Sequence, residues 1–88
     1  MKLSIIIPVY NEIQTIEEIL RRILAVGLAS EIVIVDDGST DGTREYITAL
    51  QDQIYHVILH ETNQGKGAAV LTGIRNATGD RIPNLHLE

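Results

Sequence analysis

Three short tracts hold the side chains with the most chemical potential. In EIVIVDDGSTDGT (residues 31–43), four apolar residues run directly into the adjacent carboxylates Asp36 and Asp37. In SIIIPVYNE (4–12), an apolar run ends at Tyr10, Asn11 and Glu12, and in NQGKG (63–67) Lys66 lies between two glycines. Carboxylates accept hydrogen bonds from base N–H groups and ribose hydroxyls. A tyrosine offers a ring face for stacking. A lysine beside the free amides of a helix start suits phosphate. Acidic residues could also hold a divalent ion whose shell phosphate oxygens complete. Together these groups suit a nucleoside carrying phosphates.

Such side chains need elements that bring them together. LSIIIPV (3–9), EIVIVDD (31–37) and IYHVILHE (54–61) are short, β-branched and nearly continuous in apolarity, the pattern of buried parallel strands. Pro8 has no N–H for a ladder and belongs where its strand ends. Between the strands, NEIQTIEEILRRILAVG (11–27) places Ile13, Ile16, Ile19, Leu20, Ile23 and Leu24 on one helical stripe. Asn11 is its expected N-cap, with Gln14 completing a capping box, and Gly27 its stop. DGTREYITALQ (41–51) reads as a shorter helix with Tyr46, Ile47 and Leu50 inward and Asp41 in the first turn, favoured by the dipole. A third helix follows the glycine-rich turn. Its narrow inner face is Ala69, Val70, Ile74 and Ala77, Gly73 weakens it by about 1 kcal/mol relative to alanine, and Gly79 caps it.

Alternation of this kind predicts an α/β fold with a parallel sheet and right-handed crossovers. Ligands of open parallel sheets bind outside the carboxyl ends of the strands. That rim collects Tyr10, Glu12, Asp36, Asp37 and Lys66. The two carboxylates are therefore expected at the mouth of the sheet, within reach of water. The final tract, RIPNLHLE (81–88), is interrupted by Pro83 where a fourth buried strand is due.

Bulk properties narrow the function classes. Eighty-eight residues make one small domain, and 44% hydrophobic content argues against disorder. With no Trp or Phe the core must be aliphatic. A net charge of −5 argues against a general nucleic-acid surface, and the lack of cysteine excludes disulfides and thiolate metal sites. No apolar run is long enough to span a bilayer, and the first residues turn polar too soon for a signal peptide, so a cytoplasmic protein is expected. The turn after the first strand lacks G-x-G-x-x-G, and NQGKGAAV lacks the first glycine and the Ser or Thr of a P-loop. His56 and His60 share one strand parity and are expected to be satisfied or solvent-facing rather than a metal pair. Glu17–Arg21 and Glu18–Arg22 are expected as helix-surface pairs.

SIIIPVYNE, IVIVDDGSTDGT, ETNQGKGAAVLTGI and ATGD, in that order, resemble the N-terminal part of family 2 glycosyltransferases. Within that family the likeness is to the dolichyl-phosphate (polyprenyl-phosphate) mannosyl- and glucosyltransferases. The resemblance covers about residues 3–80 and implies a GT-A fold: three layers, α/β/α, Rossmann-like, with the parallel strands in the order 3-2-1 and a doubtful fourth. Residues 1–88 would be a single, shortened nucleotide-sugar-binding domain. It further implies a UDP- or GDP-linked sugar donor, inversion at the anomeric carbon, Mg2+ or Mn2+ with the diphosphate, and an acceptor such as a polyprenyl phosphate. Pro8, Tyr10 and Glu12 match positions lining the nucleoside pocket. Val35 and Asp37 match the backbone and carboxylate that hold the base, and Lys66 lies near the phosphates. Asp36 is expected to satisfy amides of its own turn.

The chain also departs from the family. The Asp-x-Asp metal register reads His86-Leu87-Glu88, and Leu71 replaces a frequent arginine. No residue is assigned to catalysis or to a metal, and any membrane link would come through other parts or a lipid acceptor. Two other readings stand beside this one. A receiver-like signalling domain would also use an acidic cluster. A self-associating module would pair through the first strand, whose edge should be covered either by the tract at 81–87 or by a second copy in a homodimer.

Overall fold

A computed structural model describes residues 3–27, 31–52 and 55–78. Three strands and three helices alternate: β1 Ser4–Val9, α1 Ile16–Val26, β2 Glu31–Asp37, α2 Thr43–Thr48, β3 Tyr55–His60 and α3 Lys66–Asn76. The strands are parallel in the order β1-β2-β3, so β2 is central, as expected. Pro8 stands opposite Val35, and Asp37 stands opposite His60.

Strand periodicity sorts the core into two layers. Ile7, Val9, Ile32 and Ile34 face Ile16 and Leu20 of α1 and Ile47 of α2. Ile6, Val33 and Val35 face Ala69 of α3. Every one of these aliphatic side chains is buried, each worth roughly 1.5–3 kcal/mol for the larger ones. The result is the three-layer α/β/α arrangement.

Several local expectations change. Asn11 does not cap α1. It adopts a left-handed backbone, φ 53°, which asparagine tolerates and which stops a helix from starting there. The helix begins at Ile16 after a turn in which the Glu12 carbonyl accepts the amides of Thr15 and Ile16. Ile13 therefore falls outside the helical stripe and is 38% exposed, while Leu24 is exposed near the other end. Gly27 closes α1 as expected, in the left-handed conformation with its amide on the Leu24 carbonyl. Arg21 and Arg22 both pair with Glu18, so Arg21 does not use Glu17. Asp41 precedes α2 rather than sitting in its first turn. On α3, Ile74 is exposed and Gly73 is buried. A β-carbon at Gly73 would lie 2.4 Å from Ile6 Cγ2, so at this glycine the helix lies close against the sheet. The helix ends at Asn76, short of Gly79. Gly79, the Asp-x-Asp register and the tract proposed to cover β1 all lie outside the described residues.

Candidate functional site

The loop after β1 is tied to the loop after β2. Ser39 Oγ accepts the Asn11 amide (2.8 Å), Thr43 Oγ1 the Glu12 amide (3.0 Å), and Asp41 Oδ2 the Ile13 amide (3.2 Å). In return, Asn11 Oδ1 accepts the Thr40 amide at 2.8 Å. Three successive amides of one loop thus meet three side chains of the S-T-D-G-T tract. Asp41 Oδ1 also accepts the amide and hydroxyl of Thr43. Desolvation would raise the Asp41 carboxyl, but the Thr43 and Ile13 hydrogen bonds together outweigh it and hold the group below its ordinary range.

Asp36 and Asp37 leave the strand on opposite faces, and both are buried, at 0% and 3% exposure. The expectation that they would sit in water at the rim is overturned: each is enclosed by polar groups from its own side. Asp36 Oδ2 accepts the amides of Gly38 and Ser39 and lies 3.8 Å from Arg44 Nε. Among the described residues, its Oδ1 has no partner. Asp37 turns the other way. Its Oδ1 contacts His60 Nδ1 at 2.9 Å and accepts the Gln64 amide at 2.8 Å, and its Oδ2 accepts the Gly65 amide at 2.9 Å. Asp37 thereby fastens the third loop to the end of β2. Gly38 makes the approach possible: its φ is 84°, and a β-carbon there would lie 2.7 Å from the Asn63 nitrogen.

The three bound loops frame one cleft of about 330 Å³, lined by Pro8, Val9, Tyr10, Glu12, Asp37, Asn63, Gly65, Lys66 and Ala69. Of the expected residues, Pro8, Tyr10, Glu12, Asp37 and Lys66 meet here. Val35, expected to act through its backbone, is not among the lining residues, and its side chain is packed beneath α3. Tyr10 is 47% exposed, leaving ring surface for a partner. Glu12 is half-buried and also accepts the Thr15 hydroxyl at 2.9 Å. Lys66 begins α3. Sequence reasoning missed Asn63, whose Oδ1 accepts the Gly65 amide at 3.1 Å. An Asn two residues before a glycine is the signal that could have found it. Leu71 is exposed and not part of the lining. A second groove of about 240 Å³, on the α1–α2 face, is lined by Leu20, Leu24, Leu50, Tyr46 and Tyr55 with Glu17 and Arg21. Among the described residues, no three His, Asp or Glu side chains cluster to hold a metal, and no helix is long and apolar enough to cross a membrane.

Comparison with known proteins bears on the family and the fold. The family model described as glycosyl transferase family 2 matches residues 4–86. The undecaprenyl-phosphate 4-deoxy-4-formamido-L-arabinose transferases of Salmonella paratyphi A and Salmonella dublin are 40% identical over 91 residues, which is 96% of this chain and 28% of theirs. The chain thus spans little more than a quarter of the length of these curated relatives. Among solved structures, glucosyl-3-phosphoglycerate synthase from Mycobacterium tuberculosis, in complex with Mn2+, UDP and phosphoglyceric acid, superimposes with a TM-score of 0.76. That match is 28% identical and covers 97% of this chain and 32% of the synthase. The fold is that of a GT-A glycosyltransferase. Family membership displaces the receiver-like reading, as does a third strand that ends at His60, followed by Glu61, without a phospho-acceptor aspartate. The chain belongs to glycosyl transferase family 2, of which it carries an N-terminal portion.

Proposed function

We propose that the cleft binds the nucleoside and diphosphate of a nucleotide-diphospho-sugar. The chain would then be the donor-binding portion of an inverting glycosyltransferase that passes a hexose to an acceptor such as a polyprenyl phosphate. One observation carries this reading: Tyr10, Glu12, Asp37 and Lys66, drawn from three separate loops, line the same cleft. The Tyr10 ring stacks on the base. Asp37 Oδ2, which accepts one amide, takes an N–H from the base edge. Glu12 faces the ribose hydroxyls, and Lys66 with the α3 N-terminus receives the diphosphate. Both UDP and GDP offer such a base edge, and the UDP complex of the Mycobacterium tuberculosis synthase favours UDP as the first ligand to try.

A divalent ion, Mg2+ or Mn2+, would neutralise the diphosphate when bound. The described residues do not supply a cluster to hold it, and no role above depends on it. The donor would be met in the cytoplasm, with a membrane involved only through the lipid acceptor. The test is calorimetric titration with UDP and GDP. Tyr10→Ala is the informative variant, because Asp37→Ala would also release two loop amides. Base stacking is worth roughly 1–3 kcal/mol, so Tyr10→Ala should weaken binding at least about fivefold. Unchanged affinity in that variant would remove the reading.

A further inference from the structure

The donor reading makes no use of the buried imidazole of His60. Its ring is 8% exposed, yet both nitrogens are engaged. Nδ1 lies 2.9 Å from Asp37 Oδ1, and Nε2 lies 2.9 Å from Thr72 Oγ1. Thr72 belongs to α3 and is not part of the cleft lining. A chain of three side chains therefore runs from the cleft wall, through the end of β3, to a helix behind it. Asp37 also accepts two backbone amides, so its carboxylate acts here as an acceptor and the facing nitrogen of His60 carries the proton. A neutral ring then has its lone pair at Nε2, where it accepts the Thr72 hydroxyl.

Lone-pair counting gives this chain a consequence. A carboxylate oxygen accepts about two hydrogen bonds. Oδ1 of Asp37 is filled by His60 and Gln64, whereas Oδ2 holds only Gly65. We propose that His60, oriented by Thr72, is a positioning residue for the nucleotide site: it occupies Oδ1 of Asp37 and leaves Oδ2 as the oxygen open to the N–H edge of a nucleobase. This rests on the donor reading above. Without His60, Oδ1 would compete for the same donor, and the carboxylate could turn about its bond to the β-carbon.

The test compares Thr72→Val with Thr72→Ser in the whole 88-residue chain, by NMR and by calorimetry with UDP. The wild-type imidazole nitrogens should report a proton on Nδ1 and an accepting Nε2. In Thr72→Val the Nε2 signal, the Asp37 carboxyl carbon and the Gln64 and Gly65 amides should move. UDP should then bind roughly threefold to tenfold more weakly, the effect of one lost hydrogen bond, and Thr72→Ser should restore both readouts. If the Asp37 carboxyl and the two amides keep their wild-type shifts in Thr72→Val, the proposal is overturned, whether or not UDP binds. Equal losses in the two variants also overturn it. A wild-type chain that ignores UDP but shows the full spectral response removes the donor reading while supporting the link from Thr72 to Asp37. If Thr72→Val does not fold, His60→Asn against His60→Leu decides. The amide N–H of asparagine replaces Nδ1–H, so His60→Asn should bind UDP better than His60→Leu, and equal affinities contradict the proposal.

Discussion

Asp37 accepts one hydrogen bond from His60 and two from the amides of Gln64 and Gly65, while Asp36 serves the amides of its own turn. Two neighbouring carboxylates end a buried strand because strand geometry sends them to different layers, each with amides to satisfy. That the pair stands at a strand end is legible from the apolar run before it. Its burial is not, because the partners of Asp37 lie 23 to 28 residues further along the chain. The same holds for Ser39, Asp41 and Thr43, which look like an ordinary capped turn until the Asn11–Ile13 amides arrive. Asp41 offers a pH test. Its folded carboxyl is held below the ordinary value of 3.8. Its contribution to stability is therefore complete above that value and is lost as pH falls through the depressed one. Asp41→Asn should flatten the acid limb of a stability-versus-pH curve measured by urea unfolding. An acid limb as steep as that of the wild type would show that Asp41 does not contribute.

Helix α1 shows how far periodicity reaches and where it stops. Its stripe predicts the buried Ile16 and Leu20, but the same spacing continues back to Ile13, where Asn11 has already turned the chain. Pattern alone cannot separate a helix from a loop that happens to share its spacing. Gly73 makes the contrast quantitative. Helix propensity predicts that Gly73→Ala stabilises α3 by about 1 kcal/mol. Its closeness to Ile6 predicts the opposite, since a β-carbon would sit 2.4 Å from Cγ2 of a fully buried side chain. Overpacking of this kind costs roughly 1–3 kcal/mol. Thermal unfolding of Gly73→Ala should show a lower midpoint than the wild type, and a higher one would mean that α3 is free to lift from the sheet.

Over the whole molecule, layer order and strand order were legible from the alternation of elements together with the family resemblance. The enclosure of the cleft was not, because it depends on hydrogen bonds between loops and on the glycine contact at Gly38. Among the described residues, β1 pairs on one side only, with β2. An unpaired parallel edge is a template for another strand, so β1 is expected to be covered either by the tract at 81–87 or by a second copy of the chain. If a second copy covers it, light scattering should give a mass above that of one chain, reduced by Ile5→Lys; a monomer whose β1 amides exchange freely with solvent would contradict both forms of cover. The account as a whole is tested most directly by following backbone amides in a nitrogen–proton NMR titration with UDP. Tyr10, Glu12, Gly38, Gly65 and Lys66 should shift together along one binding curve, because three loops enclose one ligand. Shifts confined to a single loop, or centred on the Leu20–Tyr55 groove of the opposite face, would contradict a shared nucleoside site.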